Sequence, residues 1–276
     1  MKQYLETLRF CLNHGTDVVS RAGKVKKAFG YQMRFELNDG FPIITTKKIA
    51  WRSVVSELLW FIEGSNDERR LAEIHYGKDK SELSDKKTIW TKNANSDYWK
   101  IKSKFKGDLG KIYGYQWRNF NGIDQLSNLI KSLKGDQDGR RHILSAWNPG
   151  DLEEMALPPC HILSQFYISN NRLSCQLYQR SCDMFLGVPF NISSYSLLTH
   201  ILAKECDLEV GEFIHTLGDF HIYHEHFPQV KEQLTREVRS LPKLRFDKKN
   251  IFNYSPEDFE LLDYDPHPSI KADMNI

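Results

Sequence analysis

Apolar and polar positions along this chain fall into blocks of helical and of strand periodicity. Tyr4, Leu5, Leu8, Cys11 and Leu12 recur at helical spacing and stop before Gly15, which predicts a first helix. Tyr31 to Leu37 alternates as a strand does, and Asp39-Gly40 makes a turn before Phe41 to Lys48. Trp51, Val54, Val55, Leu58, Leu59 and Ile62 form one helical stripe while Trp60 and Phe61 point away from it, so this second helix is apolar nearly all round and should be buried. Residues 68–106 are rich in lysine and poor in periodic apolar positions, which reads as an elaborated polar surface region with short helices. A helix follows from Ile123 to Leu133, closed by Gly135, and then a turn into a strand ending near Trp147. Gln165 to Ser169 and Arg172 to Tyr178 flank Asn170-Asn171, which predicts a hairpin with a two-residue turn. Asn191 to Cys206 is a helix opened by asparagine, another begins near Pro228, and Lys243 to Phe246 is a short strand. Periodicity alone supports α/β or α+β.

Composition narrows the class without naming a chemistry. The 276 residues suffice for one large domain or two modest ones, and 40% hydrophobic with 27% charged residues is ordinary for a globular protein. A formal charge of +2 provides no general field for DNA or an anionic membrane, so any anion site must be a local cluster of Arg and Lys. The five cysteines are scattered, with no C-x-x-C pair, no secreted framework and no apolar run long enough to span a bilayer. A cytoplasmic, reducing location is the expectation.

Two stretches concentrate reactive groups. Leu157-Pro158-Pro159-Cys160-His161 fixes a cysteine between prolines and a histidine, and Leu177-Tyr178-Gln179-Arg180-Ser181-Cys182-Asp183 follows about twenty residues later. Rigid presentation and a nearby guanidinium are what a nucleophilic thiolate needs, whereas an arbitrary cysteine is more often buried and inert. Glu57 sits in the apolar helix with Trp60 and Phe61 at i+3 and i+4, so its carboxyl is either desolvated, with a raised pKa, or turned out to a salt bridge. Arg140-Arg141 is by default a solvated surface pair. His215, His221, His224 and His226 crowd together, but their spacing fits no common zinc site and no metal is expected.

With Gly187-Val188-Pro189-Phe190-Asn191-Ile192 and Gly218-Asp219-Phe220-His221-Ile222-Tyr223 added, the order and spacing of these motifs resemble the thymidylate synthases from Arg21 to Ile276. The resemblance implies a single domain over 1–276 on a mixed, largely antiparallel sheet with flanking helices, two such sheets packing face to face in a homodimer. It implies reductive methylation of dUMP to dTMP, with 5,10-methylenetetrahydrofolate supplying the one-carbon unit and the hydride. Cys160 would be the nucleophile, Glu57 the proton-relaying carboxylate, and Tyr113, Arg180, Asp183 and Asn191 further members of the catalytic set. The nucleotide would be held by Arg21, Gln179, Arg180, Ser181, Asp183, Asn191, His221 and Tyr223, with Arg140 and Arg141 reaching across the dimer from the other subunit. The folate would meet Lys47, Trp90, Asn93, Asp183, Gly187 and the terminal Ile276, the tail 264–276 closing over the filled pocket. Asparagine at 191, not aspartate, argues for uracil over cytosine. Two other readings share the motifs: a dUMP hydroxymethyltransferase, in which water and not hydride reaches the exocyclic methylene, and a nucleotide- or RNA-binding relative without turnover.

Overall fold

The computed structural model describes residues 1–20 and 22–274. Helix α1 (Lys2–His14) ends where the Gly15 N–H returns to the Cys11 carbonyl, and its buried face carries Tyr4, Leu5, Leu8 and Cys11. Strands β1 (Thr16–Ser20) and β2 (Gly23–Glu36) then pair antiparallel. The strand expected over Tyr31 to Leu37 is therefore only the end of a fourteen-residue strand that stops at Glu36, Leu37 opening a short 3-10 turn. Lys24, Lys26 and Lys27 hid its beginning, because long lysine stems can lie along a sheet while their ammonium groups stay in water.

Helix α2 (Trp51–Glu63) is buried along Val54, Val55, Ser56 and Leu58 to Ile62, as its all-round apolar pattern requires. Residues 68–106 carry α3 (Glu68–Tyr76), α4 (Thr91–Ala94) and α5 (Asp97–Lys100). Their lysines are outside, yet Leu71, Trp90, Asn93 and Trp99 are buried. Helix α6 (Tyr113–Arg118) lies against α2; a Cβ on Gly114 would meet the Phe61 carbonyl oxygen at 2.6 Å, so this approach is open to glycine alone. Helix α7 (Gln125–Gly135) starts at Asp124, whose carboxylate accepts from the Ser127 N–H.

Strand β3 (Ile143–Ser145) forms one edge of the sheet, followed by the long hairpin of β4 (His161–Ser169) and β5 (Arg172–Asp183). Asn170 and Asn171 both have positive φ, 51° and 59°, the two-residue turn that this dipeptide favours. Helix α8 (Gly187–Glu205) crosses to β6 (Glu209–Tyr223), which pairs parallel with β5 and antiparallel with β2. The sheet order is β1-β2-β6-β5-β4-β3, mixed and largely antiparallel, in a single domain. After α9 (Phe227–Thr235), β7 (Lys243–Arg245) and β8 (Glu260–Leu262) form a small separate ribbon.

Two expectations need correction. Helix α8 opens at Gly187, not at Asn191, because Pro189 falls in its first turn, where a missing N–H removes no helical hydrogen bond. Asn191 is thus inside the helix, with its side chain free for other work. The periodicity reading also passed over β6, the longest strand of the sheet, because its histidines, Thr216 and glycines mask the alternation. One sheet face packs into the core. On the other, Gln32 and Gln176 both donate to the Thr216 hydroxyl, at 3.0 and 3.1 Å, and Tyr167 and Gln176 are exposed.

Candidate active site

Cys160 ends the Pro158-Pro159 segment and leads into β4, and it is half-buried. Its N–H donates to the Tyr113 hydroxyl at 2.7 Å, and its carbonyl accepts from the Arg180 N–H at 2.9 Å. The Arg180 guanidinium turns back onto the same segment, donating to the Pro159 and Pro158 carbonyls at 2.9 Å each. The arginine thus grips the backbone that presents the thiol. Gly218 on β6 makes room, since a Cβ there would meet the Arg180 carbonyl oxygen at 3.0 Å.

The thiol's electrostatics differ in net sign from the simplest expectation. Burial pushes the Cys160 pKa up, Arg180 and the Tyr113 hydrogen bond pull it down, Asp183 opposes them, and burial prevails. The other four cysteines are buried, and each is pushed up to about 11 or higher. His161 is held down at about 3 by burial and by Arg180, so it is neutral and contributes no cation to its neighbour.

Behind the cysteine runs a buried chain of polar groups. His215 Nε2 meets Gln179 Oε1 at 2.8 Å, Gln179 Nε2 donates to Asn191 Oδ1 at 3.1 Å, and Asn191 Nδ2 meets His161 Nε2 at 2.9 Å. His215 is lowered to about 3 by burial and the neighbouring His161, so its imidazole too is neutral. A neutral ring donating to Gln179 fixes each following amide in one orientation. His215 and His161 are the members that the sequence did not single out for the site; for His161 the available signal was its place directly after Cys160.

On the other side of Tyr113 stands the carboxyl. Glu57 on α2 is half-buried, and its Oε1 accepts from the Trp90 indole N–H at 2.7 Å. Burial raises it to about 7 against the stabilising pull of that N–H. Rings fill the space between: Tyr113 stacks on Phe61 at 4.8 Å, meets Trp90 edge-on at 5.8 Å and lies 4.8 Å from His161. Glu57 is therefore linked to Cys160 through Trp90 and Tyr113.

The remaining predicted residues fall into three groups. Asp183 closes β5 and accepts from the N–H groups of Phe185 and Leu186, shaping the turn into Gly187 and α8. Lys47 is buried against that turn; it donates to the Phe185 carbonyl at 2.5 Å and lies over the Phe185 ring at 3.5 Å. Burial lowers it to about 7, against the pull of Asp183. Ser181 pairs with Asp219 in the sheet, and His221 bonds Asp219 at 3.1 Å with its ring edge-on to Tyr223. Asn93 is buried beside Trp90 on α4. These cluster around the same end of the sheet as Cys160.

Arg140 and Arg141 do not. Both are exposed just before β3, whose register places Arg141 near Tyr167, about 20 Å along β4 from Cys160 at ~3.3 Å per residue. Arg21 and Ile276 lie outside the described residues. Tail residues that are described run back over the chain: the His267 N–H donates to the Thr45 carbonyl, Arg236 to the Pro268 carbonyl, and His226 Nε2 meets the Asp273 carbonyl at 2.8 Å. The crowded histidines disperse, to Gln179, Asp219, Asp17 and Asp273 respectively. Among the described residues, no group of three or more His, Cys, Asp or Glu is arranged to hold a metal ion, and no helix is long and apolar enough to cross a membrane. Compared with known families, residues 2–276 match the family model described as thymidylate synthase.

Proposed function

The chain belongs to the thymidylate synthase family, methyltransferases that act on dUMP with a folate co-substrate, and on that premise we propose the full reductive methylation. The products are dTMP and dihydrofolate, with 5,10-methylenetetrahydrofolate giving first its one-carbon unit and then a hydride. In this reading Cys160 Sγ adds as thiolate to C6 of the uracil, which makes C5 a carbon nucleophile toward the folate methylene. The thiol must first lose a proton that burial favours retaining, and Arg180 lowers that cost. Glu57, raised to about 7, can take up and return protons near neutral pH without large penalty in either direction.

The observation that carries the reading is the Asn191 amide, locked by Gln179 and His161 next to the cysteine. Its remaining N–H and lone pair suit the adjacent carbonyl and N–H of uracil, so the base is selected and oriented for attack. Arg180, Ser181, His221 and Tyr223 are the proposed contacts to the phosphate and sugar; Lys47, Trp90, Asn93 and Gly187 are those to the folate. Asp183 is proposed to meet both substrates.

We further propose a homodimer joined through the exposed sheet face, with Arg140 and Arg141 serving the partner's phosphate site. Their distance from Cys160 in their own chain supports this. Mixing a Cys160→Ala chain with an Arg140→Ala/Arg141→Ala chain should then restore turnover that neither homodimer has.

The deciding experiment incubates the protein with dUMP and 5,10-methylenetetrahydrofolate and measures nucleotide mass together with folate oxidation state. Thymidylate with stoichiometric dihydrofolate is expected. A hydroxymethyl nucleotide with tetrahydrofolate would overturn the methyl-transfer reading in favour of water capture.

A further inference from the structure

The lysine-rich stretch 68–106 contains one acidic side chain that exposure would not predict. Glu68, at the start of α3, is 1% exposed. Its Oε1 accepts from the Thr88 and Thr91 hydroxyls, each at 2.6 Å, and the Arg69 guanidinium bonds both of its oxygens, Nε reaching Oε2 at 2.5 Å. Arg69 in turn donates to the Leu83 and Lys86 carbonyls at 3.1 and 3.0 Å, drawing the intervening loop onto the same point. No other carboxylate among the described residues 68–106 is so deeply buried.

What this clamp holds is Trp90. The Trp90 N–H donates to the Thr88 hydroxyl at 3.2 Å, and the Thr88 N–H donates to the Thr91 hydroxyl at 2.8 Å. Each hydroxyl gives its proton to Glu68 and its lone pair to the backbone, so an acceptor at 68 imposes one polarity on the whole turn. The indole N–H that leaves this turn is the one bound to Glu57 Oε1. We propose that Glu68 is a positioning residue: acting as an anion through Thr88 and Thr91, it aims the Trp90 indole at Glu57. The inference rests on the functional reading above for its kinetic consequence but not for its geometry. Glu68 remains an anion because its Arg69 and hydroxyl bonds outweigh burial, leaving its carboxyl below the usual range. The other ionisable groups facing Glu57 are the phenols of Tyr113 on α6 and Tyr195 on α8, both raised well above neutrality by burial and thus uncharged.

The test follows the indole N–H of Trp90 by NMR across pH in the full-length chain, assigned with Trp90→Phe, beside steady-state kinetics. In the wild type this resonance should titrate with a midpoint at about 7, reporting Glu57. Glu68→Gln, and Thr91→Val in case the first variant folds poorly, should abolish or shift that titration. They should also lower kcat by roughly tenfold to a hundredfold and raise the folate KM, leaving the nucleotide KM unchanged. Thr91→Ser keeps the hydroxyl and should restore both signals. An unchanged indole titration in Glu68→Gln and Thr91→Val would overturn the proposal, as would a loss of activity shared equally by both substrates' KM values. If the wild type made no thymidylate, the functional reading would fall, and the indole titration alone would decide the role of Glu68.

Discussion

The two halves of the candidate site are stabilised in different ways. On the Cys160 side, His215, Gln179, Asn191 and His161 are uncharged, buried and held by strand register and by α8. On the Glu57 side, position depends on charge: a carboxylate and a guanidinium clamp the turn that carries Trp90, and a second carboxyl is held near neutrality. The neutral relay can fix orientation but cannot titrate between about pH 4 and 9, because both of its histidines are held at about 3. The charged half can. Under the proposed function, base selection and proton movement would fall to environments whose electrostatics suit each.

The sharpest way to break this comparison is Cys160→Ala. Turnover should fall by about four orders of magnitude or more, while calorimetry should still find nucleotide binding, since the relay is untouched. Retained turnover would remove the nucleophile from the relay's side of the site altogether.

Glu57→Gln should come next, lowering kcat by ~10²–10⁴ and erasing the pH limb near 7. It should also change stability in a definite direction. The folded chain keeps the Glu57 proton up to about pH 7, whereas the unfolded carboxyl releases it near ~4.3. This group's favourable contribution is complete below the unfolded pKa of ~4.3 and is lost as pH rises through the folded value of about 7, by an amount on the order of 3–4 kcal/mol. Denaturant melts of wild type and Glu57→Gln at pH 4 and pH 8 should therefore converge at the lower pH and part at the higher, with the glutamine variant the more stable there.

Gln179→Leu tests the neutral half. It strips Asn191 Oδ1 and His215 Nε2 of their partners, which should cost ~1–3 kcal/mol of stability and weaken nucleotide binding without moving the pH limb. A shifted limb would show that the two halves are coupled more closely than the geometry indicates. The smallest effect is expected at Lys102→Ala: its pair with Glu153 is solvent-exposed, so melting temperature and turnover should stay at wild-type values. Together with Glu68→Gln, this would separate the buried Glu68–Arg69 pair of the 68–106 stretch from its solvated neighbours.

Much of this was legible in the residues themselves. The prolines around Cys160, the asparagine turn and the apolar helix around Glu57 each announce a local structure, because turn chemistry and helical periodicity are short-range properties. The first part of β2 and all of β6 were not legible, since a strand supported on both sides by neighbours needs less of its own alternation. His215 was obscured for that reason, and Glu68 for another. A glutamate followed by two arginines has the composition of a surface, and only the return of Thr88 and Thr91 from twenty residues away makes it interior.

Sequence by itself determined which chemistry was available: one cysteine rigidly presented, a carboxyl among rings, an asparagine offering donor and acceptor on one amide, and helices and a hairpin to carry them. Tertiary structure alone decided the electrical state of those groups. It left the Cys160 thiol above its ordinary pKa despite Arg180, neutralised two histidines, and made Glu57 titrate near 7. The physical reason is that a pKa depends on solvent removed and on charges brought near from distant parts of the chain, and neither is written in local residue order.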